Sequence, residues 1–404
     1  MSNVASANTD HKIPDHIPPH LVADYDIWVE PTTPPDIQMA VVNKLHHQLP
    51  DIFYTPLNGG HWMVSRMDHL RKVVTDGATF SSSGASTLPN PEELPLPPQD
   101  MDAPDHMKYR KVLLQFLAPK DLSKQAPHVL SLCNKLIDDL EGRNSCNFKE
   151  EIAVPLPVSI FMAIMDWDTS RIREFVSWSV DIISSNDPAV SYAGMLKLQE
   201  FLSGEIAYRQ ENPGDDPLSL LLASKVDGVQ LTPQRVREMA NLLFTAGTDT
   251  VTNAMTYFMF HLARHPEMQD HLRGHPEEID VAVEEMLRRY SFVNVVRRVT
   301  RDVEFEGVQM RAGDRVIASL AAASNDDRWV KNPEQVDLSR GRCPHVAFNT
   351  GPHACIGAPL ARLELKIFLA EWLRRMPNVK LADGFWPKQR GGAIMSLESL
   401  EITW

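Results

Sequence analysis

Between residue 105 and about residue 370, apolar side chains recur at three- and four-residue spacing, and this rhythm constrains the fold more than any other feature of the chain. A period near 3.6 gives each segment one apolar stripe, and such stripes must be buried against one another. The spacing predicts helices over 105–117, 129–140, 171–183, 192–208, 233–263 and 276–290. The rhythm breaks over 303–317, where Gly307 and Gly313 punctuate short β-prone runs, and the last twelve residues read as strand. Residues 52–65 read as a hairpin turning at Asn58-Gly59-Gly60. There is no internal repeat and no low-complexity linker. The expectation is a mainly α protein with small β-sheets, one domain over 1–404, with 1–24 as an extended arm.

Proline is concentrated early: fourteen of 30 fall in the first 104 residues. Residues 14–35 therefore read as extended, and 88–98, with five prolines, as an irregular loop of the kind that often moves or binds. A net charge of −13 argues against nucleic acid or an anionic membrane as partner. The four cysteines form no C-x-x-C pair and are too few for a disulfide framework. Residues 1–12 lack the apolar core of a signal peptide, and the best apolar run, 152–165, is short and carries Pro155 and Pro157. The expectation is a cytoplasmic monomer.

The most informative stretch is Phe348-Asn349-Thr350-Gly351-Pro352-His353-Ala354-Cys355-Ile356-Gly357. Gly351 and Pro352 force a turn, and Pro359 sits where a helix can begin. Cys355 thus lies at a loop-to-helix junction, where backbone N–H groups and the helix dipole favour thiolate. Three other readings stay open on the residues alone. Cys355 is a small buried apolar residue; or Cys343, His345, His353 and Cys355 form a zinc set; or Cys355 is a nucleophile with His353 or His345 as its base.

Phe348-x-x-Gly351-x-x-x-Cys355-x-Gly357 resembles the haem-ligand signature of the cytochrome P450 monooxygenases. Ala246-Gly247-Thr248-Asp249-Thr250, in the middle of the long predicted helix, resembles their oxygen-activation motif; by itself it reads as a kink with satisfied polar groups. Glu285-Met286-Leu287-Arg288 resembles their E-x-x-R pair, and Arg340 the arginine that completes it. The likeness runs from about Tyr25 to Trp404. It points to the camphor-hydroxylase branch through Asn58-Gly59-Gly60-His61-Trp62, Asp249-Thr250-Val251-x-Asn253 and Trp404.

The resemblance implies a single-domain cytochrome P450 fold, with haem b (iron protoporphyrin IX) between a long central helix and the cysteine loop. Cys355 would be the axial ligand of the iron, and His106, Arg110, Arg297 and His353 would hold the propionates. Asp249 would relay protons, with Thr250 taking part in oxygen activation, while Glu285, Arg288 and Arg340 support the cysteine loop. The matching pocket positions are Ser86, Leu94, Leu96, Leu242, Thr245, Val293, Ile394 and Met395. Leu94 stands where camphor hydroxylase carries a tyrosine that bonds the camphor ketone, and leucine cannot donate that bond. A small hydrophobic terpenoid or norisoprenoid, ionone-like, is therefore expected in place of camphor.

The chain has no G-x-G-x-x-G nucleotide-binding unit. Electrons for O2 are expected from a separate 2Fe–2S ferredoxin with its reductase. It would dock on a basic face drawn from Arg71, Lys72, Lys108, Arg110, Lys111, Arg342 and Arg362. The rival function is a haem-thiolate sensor or isomerase that inserts no oxygen.

Overall fold

Proline opens many of the helices. Helices Pro155–Ile164, Pro217–Ala223, Pro233–Arg264 and Pro266–Gly274 each start on one, and Ala358–Arg375 carries Pro359 in its first turn. The first-turn N–H groups of a helix have no partner within it, so a residue lacking that proton fits there without loss. Three of these helices were not anticipated: Pro155–Ile164, Pro217–Ala223 and Pro266–Gly274 are short, and their prolines disguise the rhythm. The computed structural model describes residues 13–28, 37–85, 95–115, 125–184, 188–341 and 343–404, and only the backbone of 37, 183, 184 and 188.

The predicted helices are present with shifted ends: Asp105–Leu113, Ala126–Asp138, Ile172–Ser179, Pro188–Glu211, Pro233–Arg264 and Ile279–Arg289, the last preceded by a 3-10 turn at Pro276–Glu278. The central helix Pro233–Arg264 has 32 residues, about 48 Å at 1.5 Å per residue. Thr232 caps it, its hydroxyl accepting the Arg235 N–H at 3.2 Å.

This helix passes through two hydrophobic cores. Its first half buries Val236, Met239, Ala240 and Phe244 among Pro155–Ile164, Ile172–Ser179 and Pro188–Glu211. Its second half buries Val251, Ala254, Met255, Phe258, Met259 and Leu262 among Ala126–Asp138, Ile279–Arg289 and Ala358–Arg375. Between the cores, Thr245, Gly247 and Thr250 are only half-buried and Ala246 is exposed. The break in burial falls on the polar run singled out in the sequence.

A five-stranded sheet stands beside the helices, in the order Ile52–Thr55, His61–Val64, Arg315–Ser319, Asn294–Val299, Phe80–Ser81. The first two form the expected hairpin, with Ile52 opposite Val64. His61–Val64 and Arg315–Ser319 run parallel, and the remaining pairs antiparallel. Within 303–317, Val303–Phe305 and Val308–Met310 make a separate hairpin.

The C-terminal segment is not one strand. Ser396–Leu397 pairs with Gln389–Arg390, whereas Glu401–Thr403 joins a sheet with Lys380–Leu381 and Ser145–Asn147. The chain changes partners between them, because the Glu398 N–H bonds the Lys388 carbonyl and the Leu400 carbonyl takes the Phe148 N–H. The described part of the N-terminal arm is tied down by a bridge from Val22 to Tyr54 and by the Gly392 N–H on the Ile27 carbonyl at 2.7 Å. Among the described residues no helix is long and apolar enough to cross a membrane.

Candidate active site

The chain reaches Cys355 through a tight loop. Gly351–His353 is one 3-10 turn, and the Cys355 N–H bonds the Phe348 carbonyl at 2.9 Å. Gly351 has φ 72°, and a Cβ there would stand 2.8 Å from Thr75 Cγ2, so conformation and space both demand glycine. Cys355 Sγ accepts the N–H groups of Gly357 and Ala358 at the start of Ala358–Arg375. The residue is solvent-accessible although protein surrounds the sulfur on most sides. This crowding pushes the thiol up from its ordinary value, while the two N–H groups and the charges of Arg110 and Arg362 pull it back. The donors expected from the sequence are in place, but among the protein's own groups burial outweighs them.

Four side chains that bind anions gather behind this loop. His106, 2% exposed, lies against His353 with ring centroids 4.0 Å apart. Arg110 donates to the Ala354 carbonyl, next to Cys355. Arg297, 6% exposed, spends Nη1 on its neighbour's Val296 carbonyl at 2.8 Å, and its Nη2 is buried with no partner. Asp102 is the acid acting on this group, but it already accepts the Ser82 N–H at 2.8 Å and the Ser81 hydroxyl. Burial pushes His353 down to about 3, helped by His106 and Arg297, and pushes Arg297 down to about 10. A buried, undersupplied guanidinium beside two imidazoles can receive a carboxylate.

Along the central helix, Asp249 is 7% exposed. Its Oδ1 accepts the Asn253 amide at 3.0 Å, and its Oδ2 is buried without a partner. Burial raises its acid to about 6, against the charges of Lys149 and Arg390 and the Asn253 bond. The Thr250 hydroxyl donates to the Ala246 carbonyl at 2.8 Å, and Thr245, Thr248, Thr252 and Thr256 make similar bonds one turn back. The helix nevertheless runs without a break through this stretch. Ile356 of the cysteine loop and Leu243 of this helix both pack against the same core cluster, as does Tyr109.

The E-x-x-R pair is fully enclosed, not a surface pair. Arg288 grips Glu285 with two bonds of 2.8 and 2.9 Å, and also bonds Asn325 Oδ1 and the carbonyls of Pro333 and Gln335. Arg340 Nε reaches Glu285 Oε1 at 3.2 Å, completing the trio on the segment that leads into the cysteine loop.

Among the pocket positions, Val293 and Ile394 form an isolated bridge, and on the central helix Leu242 is buried and Thr245 half-buried. Leu96 is half-buried in a turn, its N–H on Asp100 at 2.9 Å. Met395, 3% exposed, belongs to the core. Ser86, Leu94 and most of the 88–98 loop lie outside the described residues, as does Arg342.

The zinc and nucleophile readings lose their partners. His345 bonds Glu284 at 3.1 Å and His353 bonds the Ser82 hydroxyl at 3.1 Å. The metal-like cluster found among the described residues is elsewhere, at His46, Asp326 and Asp327, and the Arg66 guanidinium already binds both of its acids. Several residues of the expected basic face have partners within the chain. Lys72 pairs with Glu306, Lys108 with Asp105 and Asp227, and Arg362 with Glu284; Arg71 stacks on Trp329. Lys111 is exposed and has no ion pair among the described residues.

Comparison with known proteins agrees with this geometry. The Cytochrome P450 family model matches residues 196–384. Probable cytochrome P450 127A1 of Sinorhizobium fredii (strain NBRC 101917 / NGR234) is 34% identical over 403 residues, 97% of each chain. The crystal structure of cytochrome P450 CYP101C1 matches with a TM-score of 0.90 and 32% identity, over 97% of this chain and 100% of that one. That of CYP101J2 matches with a TM-score of 0.90 and 30% identity, over 97% and 99%.

The chain belongs to the cytochrome P450 family, and within it sides with the CYP101 branch. It is a haem-thiolate monooxygenase with the P450 fold. Haem is the cofactor, and the residues present fit it. Cys355 is exposed, Arg297 Nη2 is buried without an acceptor, and a Cβ on Gly357 would stand 3.8 Å from Cys355 Sγ, with no other atom within 4 Å beyond its chain neighbours and its own helix.

Proposed function

We propose that this monooxygenase hydroxylates a small hydrophobic terpenoid or norisoprenoid, ionone-like and not camphor. It would use O2 and two electrons from a separate 2Fe–2S ferredoxin served by a ferredoxin reductase, in the cytoplasm. The observation that carries the reading is the gap between the two cores. There a buried acid with a free oxygen, Asp249, stands beside a hydroxyl, Thr250, on the central helix. Haem held through Cys355 supplies the activation of O2 for insertion of one oxygen atom into a C–H bond.

This chain's own groups do the rest. Arg110, Arg297, His106 and His353 hold the propionates. Asp249, raised to about 6, can release and regain a proton near neutral pH. Thr250, whose proton is committed to Ala246, offers lone pairs that hold a proton-carrying water. Leu242, Val293 and Ile394 supply an aliphatic wall suited to a compact ligand, and Leu94 supplies no donor for a ketone.

Thr250→Ala is expected to keep haem and substrate binding while diverting most of the reducing equivalents to free hydrogen peroxide. Product formed per electron consumed measures it, and an unchanged ratio counts against the role. A panel of norisoprenoids and terpenoids that includes camphor, read by the spin state of the haem, tests the substrate class; a response to camphor alone defeats it. The sensor or isomerase reading is disfavoured by the Asp249–Thr250 pair, because neither function needs a proton relay.

Of the basic residues considered for ferredoxin docking, Lys111 is the one exposed and without an intramolecular acid among the described residues. Lys111→Glu is expected to slow reduction by the natural ferredoxin several-fold at low salt, with the difference shrinking as salt rises. Reduction rates that ignore both charge and salt would remove this face from consideration.

A further inference from the structure

A buried lysine shares the interior with Asp249. Lys149 opens the one-turn helix Lys149–Ala153 and is 5% exposed. Its Nζ donates to the Leu397 carbonyl at 2.7 Å, and among the described residues no other acceptor takes its remaining protons. The same short helix is fastened to the central helix, because the Thr252 hydroxyl donates to the Ala153 carbonyl at 2.9 Å, three residues along from Asp249. The Asp249 carboxyl, for its part, has one oxygen on Asn253 and the other unpartnered.

An interior seldom keeps a lone ammonium or a lone carboxylate, since each alone loses several kcal/mol of hydration. An opposite charge in the same interior offsets part of that loss, even without direct contact. Lys149 is the foremost charge acting on Asp249, and burial pushes the lysine down while Asp249 draws it back up. Arg390 also faces both groups, and Glu398 and Glu150 act on the lysine side.

We infer that Lys149 is a positioning residue for Asp249: its ammonium, fixed by the Leu397 carbonyl, is the counter-charge that lets this enclosed carboxyl ionise. Leu397 lies on the strand Ser396–Leu397, directly after Ile394 and Met395. One lysine therefore sits between the acid of the central helix and the strand that follows two candidate pocket residues. The inference rests on the reading of Asp249 as the proton-handling acid.

The test is an infrared titration of the carboxyl C=O stretch in the ferric holoenzyme, with Asp249→Asn identifying the band. Lys149→Met keeps the length of the side chain and removes its charge. It is expected to move the Asp249 midpoint upward from about 6 by about one pH unit or more. Lys149→Gln is expected to do the same, and Lys149→Arg to restore a midpoint near that of the native protein. Product per electron in Lys149→Met should fall where the native enzyme is well coupled, and recover in Lys149→Arg.

A midpoint that stays in place in both neutral variants overturns the inference. Failure of the underlying reading looks different: Asp249→Asn would turn over and couple normally, whatever the titration of the lysine variants shows.

Discussion

Arg288→Ala is expected to destabilise the protein by about 3–5 kcal/mol, a large share of the roughly 5–15 kcal/mol that holds a typical domain together. The cost comes less from the lost attraction than from what remains. Glu285, fully enclosed, would keep a carboxylate with only Arg340 Nε and the Asp337 N–H, each at 3.2 Å, in place of a two-pronged grip. The carbonyls of Pro333 and Gln335 and the Asn325 amide oxygen would lose a donor at once. These groups lie between helix Ile279–Arg289 and the segment leading to the cysteine loop, so the damage should appear there first, as poor haem retention. Arg288→Lys keeps the charge but not the planar fork, and is expected to fall between the two. Denaturant midpoints and haem content of the purified variants measure this. An alanine variant as stable and as fully loaded as the native protein would show that the trio carries no structural load.

That trio also shows what could be read before the fold was known. Glu285 and Arg288 are three residues apart, so the sequence alone allowed an ordinary surface pair; only the likeness to a family pointed inward, and the structure places both at zero exposure. Cys355 was legible because glycine, proline and cysteine in that order dictate a turn meeting a helix, and its N–H donors are where the turn requires them. The net bias of the thiol was not legible, because it depends on how closely other elements crowd the sulfur.

The intramolecular pairing of the basic residues was hidden for a similar reason. Lys108 looks free in sequence, yet one of its acids, Asp227, is 119 residues away and is brought to it only by the fold. Asn253 could have been found, since it follows Asp249 by four residues on the same helix face. Lys149 could not. In the run Lys149-Glu150-Glu151 it reads as surface charge, and only the packing of Lys149–Ala153 on the central helix buries it.

Cys355→Ser is expected to abolish oxygen insertion while leaving the loop intact. The bonds that shape the loop are made by backbone: the Cys355 N–H on the Phe348 carbonyl, the Ala354 N–H on the Gly351 carbonyl, and the N–H groups of Gly357 and Ala358 aimed at the side chain. Serine occupies nearly the same volume and accepts the same donors, so the fold should be unaffected. What changes is the ligand. A thiolate is a soft, electron-rich donor that promotes cleavage of the O–O bond, whereas a serine hydroxyl is a hard and far weaker acid. The propionate receptor proposed for His106, Arg110, Arg297 and His353 does not involve the sulfur, so haem content should fall much less than activity. The decisive readout is optical: the reduced carbon monoxide adduct of the native protein should show the strongly red-shifted Soret band of thiolate ligation, and the serine variant should lack it. If the variant kept that band, or if the native protein never showed it, the iron would not be held by Cys355. The loop, the central helix and the proton-handling acid would then need a different account.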